Sequence, residues 1–160
     1  MILWASGLQV SLYAQNPTKL TPKVIAAINA PPVELKHDDP PLLRVKKERF
    51  NAALKEAKAR ADLYNRGFTR IPELIEMVAD RLFPAELDLY DQPEQKAQVL
   101  QRQLDVYREA EANLEKQVKD GLTTEADLER LRYGKFSVEM ELISVKNGQE
   151  NRESKAQTTP

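Results

Sequence analysis

At 160 residues and 18.2 kDa the chain has room for one core and none for a second catalytic domain. A single His and the absence of Cys exclude thiol catalysis, disulfide staples, Cys-based zinc sites and clusters of imidazole ligands. The 24 Lys and Arg balance 25 Asp and Glu, and residues 48–145 carry fifteen basic against twenty acidic side chains, the wrong sign for a face that neutralises phosphates.

Met1 to Ala14 form a mostly apolar run, too short to span a bilayer as a helix. Leu12-Tyr13-Ala14 followed by Gln15-Asn16-Pro17 resembles the end of a secretory signal peptide, although no Lys or Arg precedes Lys19. This predicts a truncated signal peptide over 1–14 and a periplasmic or secreted location. Residues 15–42 hold six of the ten prolines. Each proline removes a backbone donor and biases its predecessor away from the helical region. A Pro-rich, extended or disordered linker is expected there, with space for a short helix between Pro22 and Ala30.

From Leu43 to Val145, within a unit drawn at 43–146, apolar residues recur every three or four positions, the mark of amphipathic helices. The first, over 43–65, places Phe50, Ala53, Leu54, Ala57, Ala61 and Tyr64 on one face and ends before Gly67, which suits a left-handed position. The second, over 70–90, gathers Ile71, Leu74, Ile75, Val78, Leu82, Ala85 and Leu89, with Pro84 expected to bend or break it. A third, over 93–119, repeats Leu100, Leu104, Tyr107, Leu114 and Val118 at coiled-coil spacing, with Glu111 as the exception. The fourth starts at Thr123 or Thr124, where Thr124-Glu125-Ala126-Asp127 resembles a capping box, and runs through Leu128, Leu131, Val138, Leu142 and Val145. Composition predicts a disordered tail over 147–160.

The two halves resemble each other. Asn65-Arg66-Gly67-Phe68-Thr69 matches Lys119-Asp120-Gly121-Leu122-Thr123, and a Leu follows five residues after each Thr, at Leu74 and Leu128. Ala85 to Leu89 likewise corresponds to Val138 to Leu142. On these residues, with Asp127 in the second turn, the chain resembles the helical hairpins of TolC-type outer-membrane efflux proteins. It is also similar, from the Asp91-Gln92-Pro93 link through Leu142, to small exported bacterial proteins built of paired hairpins. The barrel strands of the efflux family are missing from the sequence between the hairpins, so the resemblance implies hairpins and no channel.

Sharper chemistry finds little support. His37-Asp38-Asp39 lies in a proline-bounded loop whose adjacent spacing converges poorly on a metal. Asp105, Glu109, Glu111 and Glu115 lack the Glu-x-x-His pairs of di-iron bundles. Glu111 at a seam position is expected to fray or to pair with a Lys or Arg. The expectation is therefore an all-α protein of two long antiparallel hairpins in a four-helix up-down bundle, with no catalytic, cofactor or metal residues. It would act as a non-enzymatic scaffold or partner-binding protein of the cell envelope. A cytoplasmic coiled-coil adaptor and a carboxylate metal-binding bundle are the alternatives. Partner docking or self-association is expected along the third and fourth helices, through Val106, Phe136, Met140 and Ile143, without nucleic acid or small-molecule substrate and with only indirect membrane contact.

Overall fold

The computed structural model describes residues 19–157, with side chains to residue 149, so the expected signal peptide over 1–14 lies outside the described residues. The described backbone is all-helical: α1 Pro22–Ile28, α2 Pro41–Asn65, α3 Ile71–Met77, a π-helical turn Val78–Leu82, α4 Phe83–Leu87, α5 Pro93–Lys119 and α6 Glu125–Gln157. None of the described helices is long and apolar enough to cross a membrane.

The Pro-rich stretch is fastened to the helices, and α1 falls in the space expected for a short helix between Pro22 and Ala30. Thr21 Oγ1 caps α1 by accepting from the Val24 amide at 3.4 Å, and Val24 and Ile28 enter the core. Asn51 on α2 then holds the extended segment in both directions: its Oδ1 accepts from the Val33 N–H and its Nδ2 donates to the Val33 carbonyl, each at 2.8 Å. Asp39 accepts from the Lys36 amide at 2.8 Å and from Lys47 Nζ at 2.6 Å. An extended chain without internal hydrogen bonds needs such external partners wherever it leaves water.

All six apolar residues expected on the inner face of α2 are buried. Three of the six are alanines, which fill little volume. Opposite α2, the expected break at Pro84 is a π-helical turn in which the Phe83 amide donates to the Val78 carbonyl, one residue further back than in an α-helix. A π register would pair the Ala79 carbonyl with the amide of residue 84, and proline has none. Gln103 of α5 supplies the donor instead, its Nε2 reaching the Ala79 carbonyl at 3.4 Å.

Salt bridges give the directions of packing. Glu56 meets Arg81 and Arg49 meets Asp88, so α2 runs opposite to the α3–α4 segment. Glu111 meets Arg132 and Arg108 meets Glu139, so α5 runs opposite to α6. Both connecting turns carry the expected left-handed glycine, at φ 79° for Gly67 and 70° for Gly121. Their hydrogen bonds correspond one to one: Phe68 N–H to the Leu63 carbonyl and Gly67 N–H to Tyr64, against Leu122 N–H to Gln117 and Gly121 N–H to Val118. Beyond each turn a Thr hydroxyl donates to a carboxylate four residues on, Thr69 to Glu73 at 2.6 Å and Thr123 to Asp127 at 3.2 Å. Thr124 Oγ1 accepts from the Asp127 amide at 3.1 Å, as the capping pattern requires.

Two sequence expectations change. Packing from α1, α3, α4 and α6 surrounds α5, so Val106 is buried at 3% exposure and leaves the surface expected for docking. The final helix also continues through Asn147 and Gly148 to Gln157, where a disordered tail was expected. Residues 149–157 contain no proline and are rich in Gln, Glu, Arg and Lys, which carry little helical penalty.

Candidate functional site

Of the carboxylates weighed as metal ligands, Asp39, Asp105, Glu109, Glu111 and Glu115 are engaged by cations or amides. Glu111 accepts from Arg132 Nε at 2.8 Å and Lys135 Nζ at 2.5 Å, and Arg132 also reaches Glu115 at 2.7 Å. Glu109 accepts from the Lys23 amide at 3.0 Å, while Asp105 pairs with Lys23 at 3.6 Å. Asp39 is held by Lys47, and no three His, Asp or Glu side chains among the described residues are placed to hold a metal ion. Glu111 therefore interrupts the α5 heptad to tie α5 to α6.

Burial alone would raise the Glu111 carboxyl, but the hydrogen bonds from Lys135 and Arg132 outweigh it and hold the group below its usual range. A carboxylate depressed in the folded state contributes stability that is complete above its unfolded pKa and is lost as pH falls through the lower folded value. The melting temperature is expected to fall as pH drops below about 4, with a shallower decline in Glu111→Gln. Identical slopes for parent and variant in a thermal series from pH 7 to 3 would contradict this assignment.

The outward face of α6 carries Tyr133, Phe136, Met140 and Ile143, each more than half exposed. Their 3-4-3 spacing places them opposite Leu128, Leu131, Val138 and Leu142, which pack on the inner side. A helix covered on one face ordinarily turns polar residues outward, and α6 does not.

A groove of about 730 Å³ lies between the α3–α4 segment and α6, floored by α5. Tyr107 dominates it. The side chain is only 7% exposed, and its hydroxyl has no hydrogen-bond partner among the described residues. Since no buried side-chain oxygen in the described residues lacks a partner, this hydroxyl opens to the groove. Burial, with added repulsion from Asp80 and Glu76, pushes the phenol up to about 12, so it stays protonated at neutral pH.

Gly134 makes the space for that ring: a Cβ at residue 134 would lie 2.5 Å from Tyr107 Oη and 2.8 Å from Cζ. Of the charged groups on the walls, Glu76 is taken by Arg130 at 3.0 Å and Asp88 by Arg49. Asp80, Glu141 and Lys96 line the groove with no ion-pair or hydrogen-bond partner among the described residues.

Sequence reading placed Tyr107 in the heptad and missed its hydroxyl, Gln103 and Gly134. A glycine inside an otherwise continuous helical pattern was the one available signal. No protein family, curated protein or solved structure matches the chain.

Proposed function

We propose that this protein is a non-enzymatic helical scaffold of two antiparallel hairpins, α2 with α3–α4 and α5 with α6, that pairs with a second copy of itself along α6. The observation carrying this reading is the exposed stripe Tyr133, Phe136, Met140 and Ile143 on the face opposite the core. Charge selects the orientation. With Tyr133 and Met140 at a and Phe136 and Ile143 at d, Arg132, Glu139 and Lys146 occupy g and Ser137 and Ser144 occupy e.

An antiparallel pairing that matches all four apolar residues sets Glu139 against its own equivalent and Arg132 against Lys146 of the second copy. A parallel pairing sets Arg132 and Glu139 against Ser137 and Ser144. It also aligns Asn147 at the next a position, a residue type that specifies register in two-stranded coils. The likeness to TolC-type hairpins belongs to this proposal as well. A location outside the cytoplasm rests on the apolar run Met1 to Ala14, and mass spectrometry of the mature amino terminus tests it.

Sedimentation of the full chain at tens of micromolar is expected to report a dimer, and Phe136→Glu with Met140→Glu a folded monomer. Because the described residues hold no cysteine, Met140→Cys gives a single reporter that cross-links readily in the parallel pairing. A monomeric parent overturns the pairing. A dimer in which Met140→Cys does not cross-link overturns the parallel register.

A further inference from the structure

The groove shares Tyr133 with the outer stripe of α6 and carries a separate conclusion. Its volume falls within the range of small-molecule sites, roughly 300–1,000 Å³. A four-helix arrangement with α6 packed against α4 would have closed it. Instead apolar side chains (Leu87, Val138, Val145) line it together with several polar and charged ones. Tyr107 presents a hydroxyl that is free to accept or donate, on a side chain more than nine-tenths buried. Asp80, whose charge is felt at that phenol, lines the same groove with its carboxylate unpaired. Lys96, the one unpaired cation of the described lining, lies eleven residues from Tyr107 on α5, roughly 16 Å away.

We infer that this groove binds an elongated amphipathic organic cation, its ammonium head between the Asp80 carboxylate and the Tyr107 phenol and its apolar body along Val138, Leu87 and Val145. A cation suits the head position on two grounds. The unpaired charge there is negative, and the phenol offers both an acceptor oxygen and an electron-rich ring face. An anionic head would meet Asp80 and Glu141 and no free cation until Lys96. The apolar lining sets the length of the body, since it runs from Tyr107 toward Leu87 and Val145.

Octylammonium, octanoate and octanol share one body and differ in the head, so isothermal titration of the full chain with each at neutral pH isolates it. Octylammonium is expected to bind one to one, with octanoate at least about tenfold weaker. Asp80→Asn, at an exposed position that does not endanger folding, should weaken octylammonium about fivefold or more and leave octanol unchanged. Tyr107→Phe should weaken it about threefold, consistent with one lost hydrogen bond. Phe136→Glu, on the outer stripe, should bind as the parent does. Equal affinities for the three probes, no saturable octylammonium binding, no effect of Asp80→Asn, or loss of binding in Phe136→Glu would each overturn the assignment.

Discussion

Gly134→Ala is expected to destabilise the protein by about 2 kcal/mol, although alanine is the better helix former by about 1 kcal/mol. Gly134 lies well inside α6, where a glycine ordinarily represents lost stability. The added methyl would approach Tyr107 Oη, Cζ and Cε1 at 2.5, 2.8 and 2.9 Å, and all three distances are shorter than real Cβ contacts. Because the contact involves the ring and not its tip alone, the tyrosine must turn as a rigid body, and its burial resists that. Urea unfolding of Gly134→Ala, Tyr107→Leu and the double variant gives the decisive comparison. The double variant should be less destabilised than the sum of the singles, since Leu leaves room for the methyl. Additive losses, or a stabilised Gly134→Ala, would show that the ring does not fill the space above residue 134.

Gln103→Leu should cost about 1–2 kcal/mol, the penalty of leaving the Ala79 carbonyl without a donor inside the protein. Leu fits a buried position on an apolar helix face, so packing alone forecasts a neutral or stabilising change. Two local facts reverse that expectation. The π-helical turn moves the partner of the Ala79 carbonyl to residue 84, and residue 84 is proline. Pro84→Ala restores an amide at that place, so Gln103→Leu should cost measurably less in a Pro84→Ala background. Equal costs in the two backgrounds would remove Gln103 from its role as the replacement donor.

The sequence by itself determined the elements whose causes are local. Periodicity marked the buried face of α2 residue by residue, and the two turns followed from Gly67 and Gly121, because only a left-handed residue lets a helix end with its last carbonyls paired. Pro84 marked the interruption between α3 and α4 for the same kind of reason: the missing amide is a property of one residue. Glu111 stood out as a polar residue in an apolar heptad, and a cation partner was among the readings that this position allowed.

What lay between elements was decided only by the tertiary structure. Second apolar stripes on α5 and α6 look alike in sequence, so nothing local told Val106, enclosed among helices, from Phe136, left outside. The Pro-rich segment reads as a linker because its partners, Asn51 and Lys47, belong to a helix that begins after it. The groove has no sequence signature either. It exists because α6 lies on α5 and stands away from α4, and because Gly134 admits the Tyr107 ring. Burial and the pairing of polar groups depend on which surfaces meet across long sequence separations, and a pattern within one helix carries no information about that choice.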